Sequence, residues 1–392
     1  MRRGTNIHSD SEPRSRLSFR NKICELPTLR EVAKMAGVGT STVSRVINGG
    51  ALVSPETLDR VHTAIASLGY VPSHAARSLK GGLTKTIGLI IPSIADPFFS
   101  ACAEAIQSVA RANKSLLIVL ATQNDLNTEI ENLRILMSHR ADGVIIVPSN
   151  PRSAALHNML SRISMPVVAV DRPISHPSVM SVVVDNFKGS RDATQHLIDH
   201  GYRRIVCLAA EETFTAQERI RGYRAAVTAH RLPSTVIASI KDSSSAEYVI
   251  ESLFAGANPP DALLTLKNST TIRVYECLKK LDISVPDPVA LIGFDDFELA
   301  AVVSPPISVI EQPIEEIGRI AARLLFNRLL GRNNGDLLAN SKSASKITLH
   351  THLIMRGSCG CRGVIEAVRR GPEFPLPVEV TRRRIAMDLS SR

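Results

Sequence analysis

Apolar positions recur every three or four residues through 28–68, and from Ile87 onward they give way to unbroken apolar runs separated by amphipathic stretches. The first pattern predicts helices; the second predicts buried parallel strands alternating with helices. Thr28 and Glu31 have capping-box spacing, so a helix starts there with Val32, Met35 and Ala36 inward, and Gly37 ends it. A second helix fits 40–48, burying Val43, Val46 and Ile47 while Thr40, Ser41, Ser44 and Arg45 face outward. A third takes Ser54 as N-cap and Pro55 as its first residue, carries Leu58, Val61, Ile65 and Leu68 at helical spacing, and stops at Gly69. Two helices joined by so short a glycine-containing turn read as a helix-turn-helix, with a small structural bundle as the plainer alternative. The outward face of the second helix favours the former. Arginine can fork onto guanine in a major groove and Ser or Thr can reach either base edge, whereas a merely solvated helix more often carries Glu and Lys.

From Ile87 the chain predicts strands at 87–91, 116–121, 143–147, 167–170 and 182–184, with helices at 98–112, 129–139 and 154–163. The alternation then begins afresh. Asn186 caps a helix that runs to His200 and is ended by Gly201; strands follow at 205–209, 236–240, 262–266, 289–294 and 308–311, with helices at 219–230, 246–254, 271–281 and 313–331. The fold class is therefore α/β: a small all-α head followed by a two-lobed, doubly wound domain. Two such lobes side by side imply a cleft at the carboxyl ends of their strands, where a small ligand binds.

Polar residues stand at successive strand ends in this region: Asp96 before Phe98 and Phe99, the pair Asp171 and Arg172, Arg219 opening a helix, then Asn268, Asp295 and Gln312. Carboxylates and amides that accept from hydroxyls, arginines that donate and an aromatic wall are the chemistry of a neutral polyol such as a sugar. Each residue alone has a blander reading. A lone Asp or Asn is as often a helix cap, one Phe of the pair belongs to the core, and Asp171 with Arg172 makes a surface ion pair. Their recurrence favours binding.

The 392 residues carry a net charge of +10, which favours an anionic partner. Much of that charge lies in the terminal stretches, at Arg2, Arg3, Arg14, Arg16, Arg20 and Lys22 and again at Arg382, Arg383 and Arg384. Residues 1–27 read as a disordered basic arm and 358–392 as a C-terminal tail. Six cysteines at scattered positions make no disulfide framework, and no apolar run is long enough for a secretory signal or a membrane span, so a cytoplasmic protein is expected. Phosphate-binding loops, G-x-S-x-G elbows and dinucleotide fingerprints are missing, and the neighbouring pairs Asp295-Asp296 and Glu315-Glu316 diverge too far to act as dyads. His350, His352, Cys359 and Cys361 have i, i+2 spacing unlike that of zinc ligands, so neither metal nor cofactor is expected.

The runs TLREVAKMAGV, STVSRVIN, VSPETLDRV, LGYVP and ARSL, followed by TIGLIIPSIADPFF, resemble the LacI/GalR family of transcriptional regulators over residues 28–357. The resemblance implies that Thr40, Ser41 and Arg45 read bases and that Thr42, Ser44 and Asn48 hold phosphates. It places Ser73, Arg77 and Leu79 in a hinge segment on the DNA, with Leu79 wedged into the minor groove, where an apolar side chain unstacks a base step. Two positions depart from the family's pattern: Gly39 stands where a serine cap is common, and Ser73 where asparagine is. The implied domains are a helix-turn-helix head at 28–72, a hinge and linker at 73–86, and an effector-binding and dimerisation domain at 87–357. That last domain is similar to periplasmic ribose-type sugar-binding proteins, whose pentose contacts match Asp96, Asp171, Arg172, Arg219, Asn268, Asp295 and Gln312. Ser269 departs from the Asp that usually follows the Asn, and Thr213 and Thr215 vary in role across the family. The chain is thus expected to be a sequence-specific repressor that binds double-stranded operator DNA as a homodimer under the control of a ribose-like effector. Dimer against tetramer, and induction against co-repression, stay open. The alternatives are a transport-associated sugar- or nucleoside-binding protein and an enzyme acting on such substrates.

Overall fold

The computed structural model describes residues 27–47, 53–70, 83–210, 213–331 and 345–361, and it divides into two compact units at residue 83. The expectations for the N-terminal arm, for Asn48, for Ser73, Arg77 and Leu79, and for the tail beyond Cys361 lie outside the described residues.

The first unit holds α1 (Leu29–Ala36), α2 (Thr40–Ile47) and α3 (Pro55–Leu68). Thr28 and Glu31 cap α1 reciprocally: the Glu31 N–H donates to Thr28 Oγ1 at 3.3 Å and the Thr28 N–H to Glu31 Oε2 at 2.6 Å. Gly37 stops the helix at φ +65°, a conformation open to glycine at little cost. The core is Val32, Ala33, Ala36, Val43, Val46, Val61 and Ala64. Ile47, Ile65 and Leu68 pack partly buried against it, and two residues expected inward are exposed. Met35 is 54% exposed and Leu58 39%, because Ala33 completes the buried stripe with Val32 and Ala36, and Leu58 lies a turn beyond Val61 at the rim of so small a core.

In the second unit one sheet has the order β11-β5-β4-β3-β1-β2 and the other β12-β10-β9-β8-β6-β7. The first-lobe strands are β1 (Thr86–Ile91), β2 (Leu116–Ala121), β3 (Gly143–Ile146), β4 (Val167–Val170), β5 (Val179–Val184) and β11 (Lys346–Leu349). Those of the second are β6 (Ile205–Leu208), β7 (Thr235–Ile237), β8 (Ala262–Thr265), β9 (Ala290–Phe294), β10 (Ser308–Glu311) and β12 (His352–Ile354). All pairs are parallel except β10 with β12. The helices are α4 (Pro97–Ala112), α5 (Leu126–Ser138), α6 (Ala154–Leu160), α7 (Asn186–Asp199), α8 (Phe214–Ala229), α9 (Ser243–Ala255), α10 (Asn268–Lys280) and α11 (Ile314–Leu329).

The two sheets repeat one design. Asp142, just before β3, accepts from the N–H groups of Thr84 and Lys85 at 2.7 Å each; Asp261, just before β8, accepts from those of Arg203 at 3.0 Å and Arg204 at 2.8 Å. The chain passes between lobes after β5, after β10 and between β11 and β12. By the second passage α11 returns to the first lobe, where Ile317, Ala321, Leu324 and Leu325 join Phe98, Phe99, Cys102 and Ile106 in one core.

Three expected details change. Asp185, not Asn186, caps α7, its carboxylate accepting from the Lys188 N–H at 2.9 Å. Helix α8 starts at Phe214 under a Thr213 cap, so Arg219 sits in its second turn and does not open it. Strand β5 begins three residues earlier than its apolar run, because polar Ser181 is accommodated there by the Ile174 N–H, which donates to its hydroxyl at 3.2 Å. Among the described residues no helix is long and apolar enough to cross a membrane.

Candidate functional site

A cavity of about 300 Å³ opens between the lobes at the carboxyl ends of their strands. Every expected effector contact except Asn268 lines it: Asp96, Phe98, Phe99, Asp171 and Arg172 from the first lobe, Arg219 and Asp295 from the second, and Gln312 from the passage between them. Asn268 is buried outside the lining, where its Oδ1 accepts from the Ser269 N–H at 2.6 Å. As the first residue of α10 it turns its amide onto its own helix end, and Lys267 takes the wall position.

Asp171 and Asp295 occupy matching places in the repeat, directly after β4 and β9, the strands that stand third in the order of their sheets. Their φ values are +68° and +72°, and each N–H returns to a neighbouring strand, to Val182 O at 3.0 Å and Ile310 O at 2.9 Å. Aspartate tolerates this left-handed conformation better than most residues, which lets the chain turn sharply while its carboxylate stays at the cleft. Burial pushes the Asp171 carboxyl above the usual carboxylate range; Arg172 and Arg219 pull it back, and Asp295 and Asp96 add to the rise. Three carboxylates therefore share one small space, facing two guanidinium groups.

Those guanidinium groups are held from behind. Arg172 Nη1 donates to Asn124 Oδ1 at 2.9 Å and to Pro148 O at 3.0 Å, while its Nε lies 3.4 Å from Asp171 Oδ2. The loop that supplies the Pro148 carbonyl is pinned by Glu129, whose Oε2 accepts from the Ser149 N–H at 2.5 Å. Arg219 Nε donates to Asn186 Oδ1 at 2.7 Å and Nη1 to Leu266 O at 2.6 Å; its guanidinium stacks 3.5 Å from the Phe294 ring centroid and lies 3.6 Å from Asp295 Oδ2. Gln312 Nε2 donates to Asp295 Oδ1 at 2.5 Å, leaving Gln312 Oε1 buried without a partner. Asp96 caps α4 by accepting from the Phe98 N–H at 3.0 Å and also meets Lys267 Nζ at 2.9 Å, the ion pair that joins the lobes across the cleft.

Phe98 and Phe99 pack edge to face at 5.1 Å and are both core residues and both wall. The cavity's walls thus carry fixed hydrogen-bond acceptors and donors. The nearby thiol of Cys102 is no nucleophile, since burial and the Asp171 charge push it up to about 12. Lys267, Asn124, Asn186, Phe294 and Glu129 escaped the sequence reading. Lys267 alone carried a signal, a polar residue at a strand end, masked by its neighbour Asn268.

In the first unit Thr40, Ser41 and Arg45 are exposed on α2, and Thr42 and Ser44 are half-buried beside them. The face expected to read DNA is thus turned to solvent. His350, between β11 and β12, and His352, the first residue of β12, are exposed, and among the described residues they join neither Cys359 nor Cys361 in a ligand cluster.

Residues 28–73 match bacterial regulatory proteins, lacI family, and residues 84–351 match periplasmic binding proteins and sugar binding domain of LacI family. The chain is 31% identical to the ribose operon repressor of Haemophilus influenzae, over 79% of this chain and 93% of that one. It is 35% identical to the HTH-type transcriptional regulator CelR of Thermobifida fusca, over 85% of this chain and 98% of that one. Among solved structures it resembles a lac repressor dimer bound to operator and the anti-inducer ONPF, with a TM-score of 0.75 and 22% identity over 85% of this chain and 99% of that one, a likeness of fold.

Proposed function

Given that the chain belongs to the LacI family of bacterial regulatory proteins, we propose that it is a cytoplasmic, homodimeric repressor whose grip on its operator is set by a small sugar in the interlobe cavity. Arg45, Thr40 and Ser41 read bases, Thr42, Ser44 and Asn48 hold phosphates, and Ser73, Arg77 and Leu79 of the hinge segment complete the contact. Two copies supply two recognition helices, which a palindromic operator requires because one helix reads only a few base pairs.

The observation that carries the effector reading is the opposed set Asp171, Arg172, Arg219, Asp295 and Gln312, fixed from behind and with little else to do. Acceptors aimed at one point select a ligand with several hydroxyls, and a volume of about 300 Å³ stands at the small end of ligand pockets. A ribose-sized sugar satisfies both conditions. The spare buried lone pair on Gln312 Oε1 is met when a ligand hydroxyl donates to it.

Thermal unfolding of the purified protein against pentoses, hexoses, disaccharides, nucleosides and purines tests this directly, because a ligand that binds only the folded state raises the midpoint with its occupancy. A pentose is expected to give the largest rise. A purine that stabilises more than any sugar would overturn the effector assignment and leave the family membership untouched.

A further inference from the structure

A second constellation lies in the other lobe, outside the cleft. Helix α7 presents His196 and His200 one turn apart on the same face, and the segment after β12 brings Cys361 against both. Cys361 Sγ is 3.1 Å from His200 Nε2 and 3.5 Å from His196 Nε2, and the three ligand atoms lie within 4.8 Å of one another. The fully buried Cys359, two residues before Cys361, turns its thiol to the Arg356 carbonyl oxygen at 3.6 Å.

We propose that His196, His200 and Cys361 bind a divalent cation of the zinc class, with water in the fourth position. Zn–N bonds of about 2.0 Å and Zn–S bonds of about 2.3 Å in a tetrahedron put neighbouring nitrogen and sulfur atoms roughly 3.5 Å apart, close to the two separations seen here. The His200 ring is already oriented for the task. Its Nδ1 lies 2.8 Å from the His196 carbonyl oxygen, which can only accept, so Nδ1 carries the proton and Nε2 points its lone pair at Cys361. A ligating imidazole held through its other nitrogen by a backbone carbonyl is the usual outer-shell arrangement at metal sites. Two imidazoles and one thiol, all soft or borderline donors with no carboxylate among them, select zinc over magnesium or calcium. The spacing His-x3-His on a helix with Cys-x-Cys on a following segment gave no hint in the sequence, because the two halves are 159 or more positions apart and Cys361 pairs with neither His350 nor His352. The cation would staple the C-terminal end of α7 to the last described residues and so fasten the end of the second lobe.

The test uses untagged full-length protein, stripped with chelator, then dialysed against Zn²⁺ or Co²⁺ and analysed for metal by mass spectrometry and absorption. One Zn²⁺ per chain, tetrahedral Co²⁺ bands with a thiolate charge-transfer band, and a higher unfolding midpoint are expected. His200→Ala and Cys361→Ser, both at partly exposed positions that spare the core, should each weaken binding by more than the roughly 10- to 100-fold that loss of an outer-shell partner costs. The double variant His350→Ala, His352→Ala should bind as the parent does. Metal content well below one per chain, a Co²⁺ spectrum without the thiolate band, binding that survives in Cys361→Ser, or a Cys359–Cys361 disulfide in the freshly purified protein would each overturn the assignment.

Discussion

Asp171 shows how one residue is asked to serve two states. In the cleft its charged form is disfavoured by burial and by the carboxylates of Asp295 and Asp96, against the pull of Arg172 and Arg219. Its pKa in the folded chain exceeds its unfolded value, so this group's contribution to stability is full at pH below the unfolded value and is lost as pH rises through the folded one. A sugar hydroxyl donating to the carboxylate reverses that preference. Effector affinity is therefore expected to fall on acidification through the raised pKa, by at most about tenfold per pH unit for a single proton, in calorimetric titrations. Asp171→Asn should flatten the profile; an unchanged profile would put the titrating proton elsewhere. On the head, Arg45→Ala is expected to cost about 1 to 3 kcal/mol at one operator position and leave effector affinity as it was, read by gel shift against single-base operator variants. At this scale the sequence was informative wherever a polar residue ended an apolar strand, as at Asp96, Asp171 and Asp295. It misled at Asn268, because which of two adjacent polar residues faces the cavity depends on where the helix begins. It did not reveal the parts played by Glu129, which holds the Ser149 backbone, and Asn186, which holds Arg219, because both look like ordinary helix residues.

At the scale of elements, periodicity located almost every strand and helix, since buried parallel strands are written as plain apolar runs such as those at Gly143–Ile146 and Val167–Val170. What it did not disclose was where each element goes. Nothing in the pattern of 313–331 says that α11 leaves the second lobe and packs on α4 of the first, because a wide apolar face fits either sheet. The close packing of α7 on α8 was equally hidden, and it depends on one missing side chain. A Cβ at Gly222 would lie 2.2 Å from Phe187 O and 2.9 Å from Arg191 N, backbone atoms of a packed helix that cannot swing aside. Gly222→Ala is expected to lower stability by about 1 to 3 kcal/mol through forced separation of the helices, measured by urea unfolding. Gly256→Ala is the matched control: its nearest neighbour would be 3.7 Å away, and it should change stability by about 0.5 kcal/mol or less.

For the whole molecule, the cavity walls come from both lobes and from Gln312 on one of the passages between them, so a ligand held by all three responds to how the lobes are set. Lys267 and Asp96 bridge the same gap directly. An effector that binds one lobe arrangement better than another shifts the balance between them by its difference in affinity, and no more. If that balance governs operator binding, the coupling runs both ways: the factor by which sugar changes operator affinity equals the factor by which operator changes sugar affinity. Calorimetric titration of the sugar with and without operator duplex should therefore give two different affinities, and their ratio should match the ratio of operator affinities with and without sugar. Asp295→Ala separates the two roles, because it removes a cleft carboxylate remote in sequence from the head. It should abolish sugar binding and the response to sugar while operator affinity stays at its sugar-free value. Loss of both activities would mean that the turn at Asp295, with its positive φ, holds the second lobe together and is not a contact. Equal sugar affinities with and without operator would disconnect the cleft from the head, leaving a DNA-binding protein whose cavity serves another purpose.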